Sequence, residues 1–250
     1  MRILLLVLAM VLDVVLCSKF DIYRQGQKVT PYGRLVEGDI MLLNERSVGE
    51  RAALRDRRYQ WQNKAVPYVL SNSYSSSEVA VIKSAMEEYS KLTCIRFIQR
   101  TTQRDYLYIS SMDGCWSYMG RIGGRQDVSL ASRGCIYKGI VMHELMHALG
   151  FEHEHSRPDR EQFLNILWAN IDRNNWDQFQ VASSFEFDTL SEAYDYRSVM
   201  HYDGWAFAKG KEPSMMPKQT GVDIYELGRG LEEDRFTKLD LTKLDKYYCR

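Results

Sequence analysis

Eleven consecutive residues, His143-Glu144-Leu145-Met146-His147-Ala148-Leu149-Gly150-Phe151-Glu152-His153, carry three imidazoles and a carboxylate at spacings that suit a metal ion. Four apart on a helix of 3.6 residues per turn, His143 and His147 share one face and can take two corners of a tetrahedral Zn²⁺. Glu144, about 100° further round, is aimed past direct ligation but within reach of a water beside the metal. Gly150 predicts the end of the helix, since glycine tolerates the positive φ of a sharp reversal, and that reversal returns His153 as third ligand. Three protein ligands leave a fourth position for water, which is the arrangement of a catalytic site rather than a structural one. One Zn²⁺ per chain is therefore the expected cofactor, with Glu144 as general base. The pattern H-E-x-x-H-x-x-G-x-x-H arises by chance on the order of once in 10⁵ chains of this composition, so it is specific. All five histidines lie in this region or in the run Tyr196-Arg197-Ser198-Val199-Met200-His201-Tyr202. His155 is read as scaffold, because the open site already has three ligands.

The elements that must hold these residues follow a mixed pattern. Ala65 to Leu70 reads as a strand, and Ser75 with Glu78 offers a capping box that opens a helix running to about Leu92. Val79, Ile82, Met86 and Tyr89 line one side of that helix. Short strands are expected near Ile95–Gln99, Tyr106–Ser110 and Ser117–Gly120. The polar run 123–130 opens on two glycines and alternates only partly, which predicts an edge strand. Gln126, Asp127, Val128, Ser129 and Leu130 are its candidate substrate-holding residues, binding extended polypeptide by main-chain hydrogen bonds. The histidine helix starts near Lys138. Beyond Pro158 regular signals thin out, apart from an aromatic stretch at 165–180 and a closing helix from Lys238 to Tyr248. The class is α+β, with the metal at the floor of a cleft between a sheet-and-helix half and an irregular half.

Met1 to Cys17 carries Arg2 and then a mostly apolar run, the pattern of a secretory signal peptide cleaved after Cys17 or Ser18. Asp13 interrupts the run, which is short for a membrane span, and no later stretch is long enough; no membrane partner is expected once the signal is removed. Secretion to the extracellular space is the expected localisation. Removing Cys17 leaves Cys94, Cys115, Cys135 and Cys249, two disulfides with three possible connectivities in an oxidising compartment. Lys and Arg total 33 and Asp and Glu 33, with no long single-sign run, which argues against a nucleic-acid partner. Residues 18–51 are polar, glycine-punctuated and weakly periodic, an extended segment with little core of its own.

Long histidine motif and Met-containing run together are the signature of the metzincin zinc endopeptidases, and within them the chain closely resembles the astacin family. The extended family motif is met from His143 through Phe151, His153, Glu154, Arg157, Asp159 and Arg160, departing only at Glu161, where the family has Asp. The resemblance implies a two-lobed, zincin-like protease domain over 52–250, with a mixed sheet and the active-site helix in the first lobe. It implies that Met200 packs beneath the metal, with Gly150 and Glu154 structural, and that Tyr202 is a displaceable metal ligand which donates a hydrogen bond to the oxyanion. It also implies the pairings Cys94–Cys249 and Cys115–Cys135. Val36-Glu37-Gly38-Asp39 is similar to the family's propeptide element, although Val36 replaces the usual aromatic; Asp39 would then occupy the metal in a zymogen whose propeptide spans 18–51. An activating protease would cut after Arg51, preferred over the start at Tyr59 that Arg55-Asp56-Arg57-Arg58 offers, and the new amino group at Ala52 would contact Glu154. The alternative, a catalytically inactive secreted zinc-binding or matrix module, lacks support because Glu144 and the open position are both present.

Overall fold

The computed structural model describes residues 28–30, 32–42, 55–185 and 187–250. The expected signal peptide, Arg51 and Ala52 lie outside the described residues. Three short strands come from the segment read as merely extended: β1 (Lys28–Thr30), β2 (Gly33–Val36) and β3 (Ile40–Leu42). Five more follow: β4 (Ala65–Leu70), β5 (Arg96–Gln99), β6 (Tyr106–Ser110), β7 (Cys115–Tyr118) and β8 (Arg125–Leu130). All eight form one sheet in the order β1-β2-β3-β7-β8-β6-β4-β5. Strands of three or four residues cannot persist alone. Here β3 is held in parallel register against β7, Ile40 opposite Ser117 and Met41 opposite Tyr118. Leu35 and Met41 pack with Trp116 and Tyr118, and Val36 and Ile40 with Met119, so the segment borrows its core from β7.

This order corrects one expectation. The strand at 125–130 is not an edge: β8 pairs in parallel with β6 and antiparallel with β7, and its two ladders leave no free side. Its polar residues are satisfied inside. The Gln126 amide donates to the Gly120 carbonyl and accepts from Ile122 N, and the Ser129 hydroxyl donates to the Gly114 carbonyl. Within 55–250 the edge beside the histidines is β7, and β3 covers it.

Helix α1 (Ser76–Leu92) starts with both arms of the Ser75–Glu78 capping box in place and buries Ile82, Ala85, Met86 and Tyr89. Helix α2 (Lys138–Ala148) is buried at every position from Gly139 to Ala148. A helix buried on all sides has to lie inside a protein, and α2, whose buried positions are apolar apart from His143, Glu144 and His147, lies between the sheet, α1 and the second half of the chain. The Tyr89 hydroxyl donates to the Met142 carbonyl, the Trp61 indole to the Ala148 carbonyl and the Tyr248 hydroxyl to the Leu149 carbonyl. The second half is mostly 3₁₀ turns and loops. It includes a small sheet of β9 (Leu164–Ile166) and β10 (Met215–Pro217), the short α3 (Arg229–Glu232), and α4 (Lys238–Leu244). One π-helical turn, Asp245–Cys249, follows α4 directly. Disulfides join Cys94 to Cys249 and Cys115 to Cys135, the first pinning the last turn beside the end of α1 and the second tethering β7 to the loop before α2. No helix among the described residues is long and apolar enough to cross a membrane.

Candidate metal centre

Gly150 ends α2 at φ +104°, and its amide donates to the His147 carbonyl, as the motif predicted. The reversal returns His153 to the helix face that carries His143 and His147. The facing ring nitrogens of the three, with a carboxylate oxygen of Asp39, lie within 4.8 Å of one another. His143 Nε2 is 3.0 Å from Asp39 Oδ2, while His147 Nε2 and His153 Nε2 are 3.5 Å and 3.3 Å from Oδ1. Ligand atoms about 2.0–2.1 Å from a tetrahedral zinc stand roughly 3.3 Å apart, so these separations, shared between the two carboxylate oxygens, are of the size that a tetrahedral site requires.

Each imidazole is oriented from behind. Nδ1 of His143 donates to the Val199 carbonyl at 2.8 Å and Nδ1 of His147 to the Phe151 carbonyl at 2.7 Å. A carbonyl can only accept, which assigns the proton to Nδ1 and leaves Nε2 as a lone pair in the neutral ring. Yet His143 Nε2 and His147 Nε2 stand 3.0 Å apart. Lone pairs brought that close, beside a buried carboxylate, require a positive charge between them. Nδ1 of His153 bonds instead to Glu37 Oε2 at 2.9 Å, and the Ser156 hydroxyl donates to the same oxygen.

Charge in the site follows from these contacts. Burial pushes Asp39 up, but the His153, His147 and His143 imidazoles outweigh it and hold the carboxyl well below its usual range. Burial lowers His147, against the pull of Asp39, to about 4. For His153 the Asp39 and Glu37 carboxylates overcome burial and raise it to about 10. Glu144 is fully buried, neither of its carboxylate oxygens takes a hydrogen bond from a described residue, and Asp39 Oδ1 is likewise unsatisfied. Burial and then the Asp39 charge push Glu144 well above the ordinary carboxylate range. A donor set of three imidazoles and one carboxylate, with orphaned carboxylate oxygens around it, fits one zinc ion.

The turn carrying Met200 is fastened to this centre. Its Val199 carbonyl holds His143, and the Met200 carbonyl accepts from Glu154 N. The turn itself hangs on Asp240 of α4, which accepts from the Ser198 hydroxyl at 2.6 Å and Val199 N at 3.1 Å. Tyr202 is buried with its ring 4.7 Å from that of His153, and its hydroxyl donates to the Glu37 carbonyl. Glu154 is buried against Lys243 Nζ at 2.6 Å and Arg157 Nη1 at 3.1 Å, and accepts from Asp195 N. Glu37, Asp240 and Lys243 were not singled out from sequence. Glu37 sits inside the recognised Val36–Asp39 element, while nothing in the spacing of Asp240 or Lys243 marks them.

A family model described as Astacin, a peptidase family, matches residues 53–249. The chain belongs to the astacin family. Zinc metalloproteinase nas-8 of Steinernema carpocapsae is 44% identical over 190 residues, 76% of this chain. The chain spans only 44% of that relative's length. Zinc metalloproteinase nas-4 of Caenorhabditis elegans is 37% identical over 242 residues, covering 92% of this chain and 75% of the relative. Among solved structures, high choriolytic enzyme 1, a hatching enzyme zinc-protease of Oryzias latipes, aligns with a TM-score of 0.69 at 37% identity, over 76% of this chain and 94% of that one. The mixed sheet, buried histidine helix and irregular second half described above are thus the astacin fold.

Proposed function

We propose that this astacin-family chain is a secreted zinc endopeptidase that hydrolyses internal bonds of extracellular polypeptides. We further propose that it is made as a zymogen, with 1–17 as signal peptide, 18–51 as propeptide and 52–250 as protease domain. The observation that carries the reading is the convergence of His143, His147 and His153 on Asp39, beside a buried Glu144 with unsatisfied oxygens. Zinc held by the three histidines supplies Lewis acidity, making a water more acidic and a peptide carbonyl more electrophilic. Glu144 accepts the proton of the attacking water and returns it to the leaving amine. Loss of the Asp39 carboxylate on propeptide removal would lower Glu144 from its raised value, since that charge is one of the two causes of the rise.

Tyr202 already donates to a peptide carbonyl, that of Glu37. With the propeptide gone, the same hydroxyl can donate to the oxyanion of a substrate carbonyl, a contribution worth about 3–4 kcal/mol in other enzymes. The substrate strand is assigned to β7 in place of 126–130, because removing β3 exposes the β7 edge for an extended peptide to pair with. Activation would follow cleavage after Arg51, and the new ammonium at Ala52 would join Lys243 and Arg157 on Glu154. The test is Glu144→Gln in the processed protein. It should keep zinc and fold while losing at least about 10²-fold in peptide hydrolysis; cleavage at the parental rate would overturn the assignment.

A further inference from the structure

We propose that His155 is a positioning residue for the Tyr202 hydroxyl, acting through a face-to-face stack of the two rings. The inference rests on the oxyanion role proposed for Tyr202. The two ring centroids lie 3.8 Å apart with planes inclined by 24°, and both residues are fully buried. The other rings around Tyr202 meet it at an angle: His153 at 57°, Phe207 at 46° and Phe179 at 83°. His155 therefore supplies the one near-parallel face among the described rings in contact.

That face is fixed from three sides. The His155 ring donates from Nε2 to the Gln178 carbonyl at 3.1 Å, and its own carbonyl accepts from Arg160 Nη1 at 3.3 Å. The 3₁₀ turn Glu154–Ser156 is tied to the Met200 carbonyl through Glu154 N. His155 is not a residue that packing alone would choose, because its buried Nδ1 has no hydrogen-bond partner among the described residues, which costs free energy. What it provides is a flat, anchored surface. Stacked rings favour an offset over a perfect face-to-face sandwich, so a ring lying on such a face can be displaced along it and keep the contact. The Tyr202 hydroxyl has to leave the Glu37 carbonyl and reach a substrate oxyanion, and a ring confined to one plane travels between them without tilting.

Four processed, zinc-loaded enzymes test this: parental, Tyr202→Phe, His155→Ala and the double variant, with His155→Phe as rescue. His155→Ala should lower kcat about tenfold, leaving KM and zinc content unchanged, whereas in the Tyr202→Phe background it should change kcat less than about twofold. His155→Phe restores the flat face and should recover most of kcat. If His155→Ala does not fold, His155→Leu fills the volume without a flat face and carries the same expectations. A second readout needs no turnover: in the uncleaved chain with ¹³C-labelled tyrosine, the ring signal lost in Tyr202→Phe should shift in His155→Ala and hold in His155→Phe. Equal slowing in both backgrounds, failure of the Phe rescue or an unmoved ring signal would overturn the proposal. A Tyr202→Phe enzyme at the parental rate would instead remove the oxyanion role on which it stands.

Discussion

Glu37 makes more of the contacts with the histidine floor than the Asp39 motif implies. Its carboxylate bonds to Nδ1 of His153 and to the Ser156 hydroxyl, and its carbonyl receives the Tyr202 hydroxyl. Its backbone sits at φ +48°, a conformation that non-glycine residues adopt at some cost, so these contacts have to offset local strain. In the proposed zymogen Asp39 blocks the front of the site while Glu37 holds the third ligand from behind. Glu37→Ala removes both carboxylate bonds and leaves the carbonyl contact. With cleavage at Arg51 prevented, the uncleaved variant should show basal peptide hydrolysis about tenfold above the parental uncleaved chain, on the scale of one lost charged hydrogen bond. An uncleaved Glu37→Ala chain as silent as the parent would mean that Asp39 alone maintains latency.

At the scale of elements, α2 is positioned by a close approach that only glycine allows. A Cβ on Gly139 would lie 1.9 Å from the Leu231 carbonyl oxygen, backbone that cannot step aside, and the Gly139 amide donates to Asp234 Oδ1. Gly139→Ala should therefore force α2 away from α3 at a cost of about 3 kcal/mol, lowering Tm by roughly 5–10 °C. A melting curve superimposable on the parent's would show that the contact is loose. How readable each element was in the sequence follows from where its partners lie. Helix α1 and the reversal at Gly150 are local, set by a capping box and a glycine, and were legible with their boundaries. The histidine floor was legible for the same reason, being written in one helix and one turn. Strands β1 to β3 were not, because three or four residues carry no period, and the three form as a ladder that β3 alone anchors on β7. The polar residues of 125–130 suggested an edge, but Gln126 and Ser129 spend their polarity on backbone groups inside the sheet. Asp240 escaped notice because its partners, Ser198 and Val199, lie some forty residues away.

Across the whole molecule, α4 closes the second half onto the first through buried acids. Asp240 holds the Ser198–Met200 turn that orients His143, and Lys243 holds Glu154 beside His153. Asp195 lies between them, accepting from Arg197 N and the Thr237 hydroxyl. Burial first, and the neighbouring Asp240 charge second, push Asp195 up to about 6. A folded-state value above the ordinary 3.8 means that the folded chain binds a proton between about pH 4 and 6 that the unfolded chain does not. Unfolding free energy from this group therefore falls as pH rises through that window, on the order of 2 kcal/mol, and is flat above it. Glu154 has the opposite sign: burial raises it, but Lys243 and Arg157 outweigh burial and hold it low, so its stabilisation is lost as pH falls. Asp195→Asn separates the two. The amide keeps an acceptor for Arg197 N and carries no charge facing Asp240 or Glu154, so the contribution of Asp195 disappears together with its repulsion of those two acids, while the Lys243 and Arg157 pairing of Glu154 remains in both proteins. Relative to the parent, the variant's Tm should rise by about 4–8 °C between pH 4 and pH 7. Parallel Tm curves for the two proteins across that range would show that Asp195 is ionised in the fold and that α4 is closed by some other balance of charge.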